Sequence, residues 1–350
     1  MLLFALAAPV AGAAAATNSS FIFTLRRGVN AESLAREFNL RPSHVYRHAL
    51  NGFAARMTAA RADALRHDPR IRAIERDGEV VLCSQTVPTG IIRMGLTNFP
   101  MTRLTGQDRR INVDVAVLDS GIQLDHPDLN VYLPGSVSFA DGSTNGSDWN
   151  GHGTHVAGIA GALDNDIGVV GVAPGVRLWS VQVVGPTQNA VANLLAGMDY
   201  VSQHADQISV VNVSLTTQVV SVAPYEALHE AVLTIVNQGV VFVAAAGNLH
   251  LDLSGDGDWN IDDVLPAGFA EVMAVSAMNP TNDTIWRRSN YSLFPHDPAL
   301  VLSPGAALDV AAPGFDIFST WKGGSYTNLT GTSMASPHVA ALVARPFAAM

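Results

Sequence analysis

The sequence predicts an α/β protein in which helices cover both faces of a mainly parallel sheet, preceded by a small α+β segment of ferredoxin-like order. In the larger, C-terminal part, short apolar runs alternate with longer segments of helical periodicity, which predicts strands joined by covering helices. The charge also changes near residue 83. Residues 17–83 carry 11 arginines and 7 acidic residues, whereas residues 84–350 carry 9 basic and 23 acidic residues. Two modules of opposite charge favour docking onto each other.

The front module, residues 17–83, follows the order strand, helix, strand, strand, helix, strand. The strands are predicted at Phe21–Arg26, His44–Leu50, Phe53–Met57 and Ile71–Arg76, and the helices at Ala31–Asn39 and Ala59–Arg66. A βαββαβ order is that of the ferredoxin-like fold.

The larger module alternates strands and helices throughout. The strands are predicted at Asp114–Leu118, Arg177–Val183, Ile208–Leu215, Val240–Ala245 and Val272–Ser276, and the helices at His152–Gly161, Val191–His204, Tyr225–Gln238 and Ser333–Ala344. The carboxyl ends of parallel strands meet at one edge of a sheet, where such folds place their ligands. Residues that follow these strands are therefore candidates for a functional site.

The composition limits the class of protein. With 48% hydrophobic and 14% charged residues, the 350-residue chain can bury a large core in one or two domains. A net charge of −10 argues against nucleic acid as a partner. Cys83 is the single cysteine, which excludes an intramolecular disulfide and a cysteine-rich zinc site.

Residues 1–16 are apolar or small and end in a run of alanines, which predicts a signal peptide cut near Ala16. An ordinary hydrophobic N-terminus is the alternative interpretation, because a basic n-region is missing. No later stretch reaches about 18 uninterrupted apolar residues, so no membrane association is expected. We therefore expect a secreted protein.

Three motifs supply the residue types of a nucleophilic active site. A buried apolar strand ends on Asp119. The stretch Asn150–Gly158 places glycines on both sides of His152, ahead of a small-residue helix. The stretch Gly331–Ala340 places Ser333 at a helix N-terminus, where unpaired N–H groups would stabilise an oxyanion. An aspartate, a histidine and a serine in this order can form a proton relay.

Each motif also has a simpler interpretation. Serine is a common helix N-cap, so Ser333 alone would mark only the start of a helix. His152 and His155 could suggest a metal site, but a helical zinc pair has the spacing H-x-x-x-H with an intervening glutamate, which this chain lacks. We expect His155 and His338 to be packing residues. No G-x-S-x-G sequence surrounds Ser333, which argues against an α/β-hydrolase.

The motifs around Asp119, His152 and Ser333 resemble those of the subtilases, the subtilisin-like serine endopeptidases, and share their chain order. A fourth stretch, Val243–Asn248, resembles the strand end that supplies the family's oxyanion-hole asparagine. The resemblance implies that Ser333 attacks the scissile carbonyl of a protein or peptide substrate. His152 would then act as general base and acid, Asp119 would orient it, and Asn248 would hold the oxyanion.

The front module resembles the inhibitory propeptide of subtilases. The resemblance implies that residues 17–83 act as an intramolecular chaperone and inhibitor, with self-cleavage between Cys83 and Ser84. Residues 84–350 would then form the catalytic domain, which we expect to be a monomer. Subtilases typically continue for several tens of residues after the serine helix, whereas this sequence stops at Met350, so the catalytic domain is expected to be truncated.

The resemblance also implies a groove that binds the substrate as an added strand. The substrate-binding residues would be Ser214, Leu215 and Thr216 on one side and Ala245, Ala246 and Gly247 on the other. Family members usually carry glycine where this chain has Thr216, and a β-branched residue there should narrow or reshape the cleft. The alternative is a core strand without a role in binding.

The stretch Leu163–Val169 resembles the high-affinity calcium loop of the family. The implied ligands are the side chains of Gln85, Asp128 and Asn165 and the carbonyl groups of Leu163, Ile167 and Val169. Such oxygen ligands suit structural calcium (Ca2+), whereas a polar surface turn is the alternative. The acidic stretch Leu251–Asp263 lacks the EF-hand spacing and is expected to be a surface loop.

The sequence thus predicts a secreted serine endopeptidase that is made as a self-processing zymogen and binds calcium. The alternative is a catalytically silent subtilase-like protein that binds proteases or peptides. The intact motifs favour the enzyme, and the short segment after Ser333 favours the silent protein.

Overall fold

The computed structural model describes residues 18–77, 85–98, 104, 106–140, 145–187, 190–218, 226–253, 264–292 and 308–349. The chain divides into two compact units, Met1–Leu82 and Cys83–Met350, each with its own sheets and core. The predicted signal peptide, the predicted cleavage site at Cys83 and Ser84, and most of the acidic stretch after Leu253 lie outside the described residues.

The first unit is a four-stranded antiparallel sheet with two helices. Its elements are β1 (Ser19–Leu25), α1 (Ala31–Glu37), β2 (Pro42–Tyr46), β3 (Gly52–Met57), α2 (Ala59–Leu65) and β4 (Ile71–Arg76). The strand order β2-β3-β1-β4 confirms the predicted ferredoxin-like arrangement. Phe23 and Phe53 stack in its core with their ring centroids 4.4 Å apart.

Strand β2 ends at Tyr46, not at the predicted Leu50. The residues that follow bend to reverse the chain before β3, which runs antiparallel to β2. Asn51 fixes this reversal, because its Nδ2 donates to the carbonyl groups of Arg26 and Val29 at 3.0 and 2.9 Å.

The second unit alternates strands and helices. Its elements are α3 (Thr89–Arg93), β5 (Asp114–Asp119), β6 (Val137–Ser138), α4 (His152–Gly161), β7 (Arg177–Gln182), α5 (Val191–Gln203), β8 (Ile208–Val213), β9 (Thr217–Gln218), α6 (Glu226–Asn237), β10 (Val241–Ala245), β11 (Val264–Leu265), β12 (Met273–Met278), β13 (Val310–Pro313), β14 (Ile317–Trp321), β15 (Ser325–Leu329) and α7 (Thr332–Ala344). Short 3-10 turns lie at Leu96–Asn98, Leu133–Gly135 and Arg345–Ala349.

The main sheet of this unit is parallel and buried on both faces. Its strand order is β13-β12-β10-β8-β5-β7-β6, and every neighbouring pair runs parallel. Alternate side chains of β5 enter two separate apolar clusters, Val115 and Val117 in one and Ala116 and Leu118 in the other. This arrangement confirms the predicted α/β fold.

The five predicted strands of the second unit are all present, whereas six further strands, β6, β9, β11, β13, β14 and β15, were not predicted. Strand β6 has only two residues, and β15 carries mostly polar, partly exposed side chains, so neither has a recognisable apolar period. Helix α7 ends at Ala344 because Pro346 cannot continue it. Within the described residues, no helix has the length and apolar character to span a membrane.

The parallel order brings the candidate residues to one edge. Strands β10, β8 and β5 are neighbours, and their carboxyl ends lead to Asn248, Ser214 and Asp119 respectively. His152 is the first residue of α4, and Ser333 is the second residue of α7.

Candidate active site

The two titratable members of the predicted triad are in direct contact. Asp119 is 1% exposed, and its Oδ1 lies 2.7 Å from His152 Nδ1 and also accepts the N–H of Ser120 at 2.6 Å. Because a carboxylate can only accept, Nδ1 carries the proton and Nε2 is left for proton transfer. Gly153 permits this approach, since a Cβ there would overlap the carbonyl oxygen of Gly121.

The electrostatic surroundings favour the protonated form of His152. Burial alone lowers the pKa of His152. The charge of Asp119, its hydrogen bond and the charge of Asp148 outweigh burial, so the pKa lies above the ordinary value of 6.5. An imidazolium that formed during a reaction would therefore be stabilised.

A second carboxylate, Asp148, fixes the turn that leads into His152. Its two oxygens accept five hydrogen bonds of 2.5 to 2.9 Å, from the Ser120 hydroxyl, the N–H groups of Asn150, Gly151 and Thr154, and the Thr154 hydroxyl. Since Ser120 directly follows Asp119, Asp148 connects the two sides of the Asp119–His152 pair.

Ser333 is bonded to Ser214 through a reciprocal contact. The Ser333 hydroxyl donates to the carbonyl of Ser214 at 3.0 Å, and the Ser214 hydroxyl donates to the carbonyl of Ser333 at 2.9 Å. The Ser333 carbonyl is available because Pro337, four residues later in α7, has no N–H. Within the described residues, the Ser333 hydroxyl makes no hydrogen bond to His152. The structure therefore joins Asp119 to His152 and joins Ser333 to Ser214.

Buried Asn212 holds Ser214 in place. Asn212 Nδ2 donates to the Ser214 hydroxyl at 2.9 Å, and Asn212 Oδ1 accepts from the Ser336 hydroxyl of α7 at 2.7 Å. The end of β8 and the start of α7 are thereby fixed to each other on both sides of Ser333.

The predicted oxyanion donor Asn248 is oriented by Thr332, the first residue of α7. Asn248 Oδ1 accepts from the N–H and the hydroxyl of Thr332 at 2.9 and 3.0 Å, and Thr332 Oγ1 accepts the N–H of Gly247 at 3.0 Å. Because the amide oxygen of Asn248 is bonded to Thr332, the orientation of its planar amide, including the NH2 group, is fixed.

The NH2 group of Asn248 and the N–H of Ser333 border the same space. A Cβ atom built on Gly331 would lie 3.4 Å from Asn248 Nδ2, 3.5 Å from Asn248 Oδ1 and 3.7 Å from Ser333 N. The missing side chain of Gly331 therefore leaves room in front of both nitrogens. Ser333 N lies in the first turn of α7, where N–H groups have no acceptor within the helix. This geometry suits a small anionic oxygen.

The predicted groove residues differ in exposure. Ser214 is buried, Leu215 is half-buried and Thr216 is exposed, while Ala245, Ala246 and Gly247 are buried. A cavity of about 280 Å³ is lined by Leu215, Thr216 and six further residues: Val183, Val184, Ala190, Val191, Leu194 and Thr217. Its lining is mainly aliphatic, so it would accept an apolar group more readily than a charged one.

The six predicted calcium ligands form one cluster. Hydrogen bonds of 2.7 to 3.2 Å connect Gln85 to Leu163 and Val169, Val169 to Asp128, Asp128 to Asn165, and Asn165 to Ile167. The N–H of Thr86 also donates to the carbonyl of Gly168 at 2.7 Å, so residues 85 and 86 are held against the loop.

The donor set of this cluster fits calcium. Burial raises the pKa of Asp128 to about 6, which means that its negative charge is poorly compensated in the folded protein. Carboxylate, amide and carbonyl oxygens are the ligands that calcium accepts. Gly168 has φ +57°, and a Cβ there would overlap the Tyr326 hydroxyl and the Asp128 carboxylate, so only glycine fits. Among the described residues, no cluster of three or more His, Cys, Asp or Glu side chains could hold a metal ion.

Besides His126, two further histidines of the second unit are buried, His155 and His338. His155 Nε2 lies 3.0 Å from the carbonyl of Thr327, and its Nδ1 has no partner among the described residues. His338 Nδ1 lies 2.8 Å from the carbonyl of Met334. Burial lowers the pKa of each histidine to about 4, so both are neutral at pH 7.

Asp148, Thr332 and Asn290 support the site although the sequence did not predict them there. Asp148 does not stand at a capping position, because the N-cap of α4 is Gly151, three residues later in the chain. Asn290 contacts the loop around Asn248 from more than 40 positions away, and no local pattern marks such a contact.

A buried aspartate–histidine pair, a serine at a helix N-terminus and two N–H donors are the groups that serine hydrolases of several unrelated folds use. Comparison with known families is more specific: the chain belongs to the subtilase family, whose model matches residues 110–349, more than half of its length. A second family model, peptidase inhibitor I9, matches residues 14–82.

Curated relatives agree with this assignment. The chain is 40% identical over 283 residues to the M-protease of Shouchella clausii (strain KSM-K16) and to the alkaline protease of Alkalihalobacillus alcalophilus, which covers 81% of this chain and 65% of each relative. It is 39% identical over 262 residues to Subtilisin Savinase of Lederbergia lenta, which covers 75% of this chain and 84% of that protein. The chain therefore spans about 65% of the length of the first two relatives.

Proposed function

We propose that this protein is a serine endopeptidase that acts through Asp119, His152 and Ser333. The observation that carries the proposal is the 2.7 Å contact between Asp119 Oδ1 and His152 Nδ1, at the sheet edge that also leads to Ser333. Family membership and the protease relatives support the same function.

In the proposed reaction, Ser333 Oγ attacks the carbonyl carbon of the scissile peptide bond while His152 Nε2 takes the hydroxyl proton. Asp119 keeps the imidazolium oriented and stabilised. His152 then returns the proton to the leaving amine, the C–N bond breaks and an acyl-enzyme forms. Water, deprotonated by the same nitrogen, attacks the acyl carbon. His152 then gives that proton to Ser333 Oγ as the bond between Oγ and the acyl carbon breaks, which releases the product acid and restores the site.

The tetrahedral intermediate carries a negative oxygen, which we assign to the space in front of Gly331. Asn248 Nδ2 and Ser333 N would donate to it there. The fixed orientation of the Asn248 amide supports this role, because a preorganised donor needs no reorganisation during the reaction.

We infer that the substrate is a polypeptide bound in extended form along Ser214, Leu215 and Thr216, with Ala245, Ala246 and Gly247 on the opposite side. The aliphatic cavity beside Leu215 and Thr216 favours an apolar substrate side chain. Thr216 lines this cavity, so we expect its β-branched side chain to narrow or reshape this side of the groove.

One observation favours a second candidate, a catalytically silent protein that binds peptides. The Ser333 hydroxyl is engaged by the carbonyl of Ser214 and would have to rotate before it could reach His152. Rotation about a single side-chain bond is rapid for a partly exposed serine, so we prefer the enzyme.

A serine-directed fluorophosphonate probe distinguishes the two candidates. The enzyme should be labelled at Ser333 and should hydrolyse casein, whereas the Ser333→Ala variant should do neither and should keep its front segment attached. A folded protein that resists labelling and leaves casein intact would support the silent candidate.

We further propose that residues 1–16 are a signal peptide, residues 17–83 a propeptide and residues 84–350 the catalytic domain of a secreted monomer. The match of residues 14–82 to the I9 inhibitor family supports a propeptide that assists folding and inhibits the enzyme. Cleavage between Cys83 and Ser84 predicts Ser84 as the mature N-terminus. Mass spectrometry of the purified enzyme tests this boundary.

We also propose one structural calcium ion, held by Gln85, Asp128, Leu163, Asn165, Ile167 and Val169. The poorly compensated carboxylate of Asp128 and the convergence of these residues support the site. The ion would supply the missing positive charge and would connect residue 85 to the loop of residues 163–169.

A further inference from the structure

Buried Asn290 contacts the loop that carries Asn248 through four hydrogen bonds. Asn290 is 0% exposed and lies in an irregular segment after β12. Its Nδ2 donates to the carbonyl of Ala246 at 2.8 Å, and its own N–H donates to the carbonyl of Gly247 at 3.0 Å. Its Oδ1 accepts the N–H groups of Leu249 and Leu251, both at 3.0 Å.

These contacts lie on both sides of Asn248 in the chain. Residues 246 and 247 are held just before it, and residue 249 just after it, by one rigid side chain and its own backbone. The loop of residues 246–251 packs closely against the Asn290 side chain. Gly247 has φ +104°, and a Cβ there would lie 2.5 Å from Asn290 Nδ2.

Asn290 is itself anchored in the core. The hydroxyl of Ser289 donates to the carbonyl of Asn290 at 2.9 Å and accepts the N–H of Ala277, which belongs to β12, at 2.9 Å. The loop around Asn248 is therefore attached to the main sheet at two places. It follows β10 directly in the chain, and Asn290 and Ser289 connect it to β12.

We propose that Asn290 is a positioning residue for the oxyanion donor Asn248, an inference that rests on the proposed function. Thr332 fixes the direction of the Asn248 amide, and Asn290 fixes the backbone from which that amide extends. An oxyanion donor contributes only when its hydrogen lies close to the developing charge, and an error of about 1 Å in such a position can cost roughly 100-fold in rate. Because Asn290 is 0% exposed, we expect it to act through the loop that carries Asn248 and not by direct contact with the substrate.

The Asn290→Asp substitution tests the proposal with little change in shape. It keeps an acceptor for residues 249 and 251 but places an oxygen, in place of a donor, against the carbonyl of Ala246. Asn290→Ser is the second variant, because it removes both the amide donor to Ala246 and the amide acceptor for residues 249 and 251. Asn282→Asp is the matched control, because Asn282 is exposed and bonds only within its own turn at Thr284.

The measurements are kcat and KM for a chromogenic peptide, and the inhibition constant of a peptide aldehyde that forms a tetrahedral adduct with the nucleophile. We expect Asn290→Asp to lower kcat about 10- to 100-fold, to leave KM within about 2-fold and to weaken the aldehyde by a similar factor to kcat. The Asn282→Asp control should match the parent.

A double-mutant cycle with Asn248→Ala separates positioning from general damage. Asn248→Ala alone should lower kcat about 100- to 1,000-fold, the loss known for the equivalent donor of subtilisin. In that background Asn290→Asp should cost less than about 2-fold, because the group that it positions is gone. Tryptophan emission of each variant reports whether the second unit is folded.

An equal loss in both backgrounds, or a raised KM with unchanged kcat, would overturn the positioning role while the proposed function stood. Loss of native emission in both Asn290 variants would overturn it in favour of a role in folding alone. A folded parent that neither reacts with the serine probe nor cleaves the peptide would refute the proposed function and this inference with it.

Discussion

Buried His155 is expected to make the second unit sensitive to acid. Burial lowers its pKa to about 4 in the folded protein, whereas the ordinary value of 6.5 applies after unfolding. Between these two values the unfolded chain binds a proton that the folded protein does not bind. The stabilising contribution of neutral His155 is therefore complete above pH 6.5 and is lost as the pH falls towards 4.

The His155→Gln substitution isolates this contribution. A glutamine amide can donate to the carbonyl of Thr327, as Nε2 does at 3.0 Å, but it does not titrate. Since one pKa unit corresponds to about 1.36 kcal/mol, a change from pH 7 to pH 4.5 should cost the parent roughly 2 to 3 kcal/mol that the variant retains. The difference in unfolding free energy between the two proteins should shift by that amount, because groups that titrate in both cancel.

Urea unfolding at the two pH values measures this shift. The Ser333→Ala background prevents self-digestion, and tryptophan emission reports on the second unit because all five tryptophans follow residue 83. His338→Asn, which keeps a donor for the carbonyl of Met334, should shift in the same direction. A difference between parent and variant that stays constant from pH 7 to pH 4.5 would refute the reasoning.

Three further predictions concern the site and its supports. Asp148→Asn removes a charge that raises the pKa of His152, so the acid limb of the kcat/KM profile should move to lower pH; an unchanged or higher midpoint contradicts this role. Excess calcium should raise the melting temperature of the Ser333→Ala protein relative to EGTA, and Asp128→Ala should abolish the increase; equal melting temperatures in both buffers would exclude the site. Gly247→Ala should destabilise the second unit by about 1 to 3 kcal/mol in urea unfolding, since it combines a positive φ with a 2.5 Å approach to Asn290, and wild-type stability would show that the loop can relax.

The sequence was sufficient where the chemistry is local. Asp119 at a strand end and His152 between glycines stand in short patterns, and the structure places them 2.7 Å apart. The alternation of apolar runs was likewise enough to predict the parallel sheet, because strands buried on both faces are almost uniformly apolar.

The residues that hold the active-site residues in place could not be predicted from the sequence. Asn290 reads as an ordinary glycosylation sequon, yet it is 0% exposed and its amide is fully engaged by residues about 40 positions away. Ser214 was predicted from a resemblance to bind substrate, while its reciprocal contact with Ser333 depends on Pro337, which interrupts a hydrogen bond inside α7. Such contacts join residues that are far apart in the chain, so no periodic or local sequence pattern predicts them.

In the reciprocal contact between Ser214 and Ser333, the carbonyl oxygen of Ser214 accepts the Ser333 hydroxyl, and a bound substrate could donate to the same oxygen. A polypeptide that added itself as a strand along residues 214–216 would bring its own N–H groups to the carbonyl groups of that segment. A carbonyl oxygen has two lone pairs, so a substrate N–H that donated to Ser214 would share this oxygen with the Ser333 hydroxyl and weaken the bond between them. Occupation of the groove would then favour rotation of the Ser333 hydroxyl towards His152.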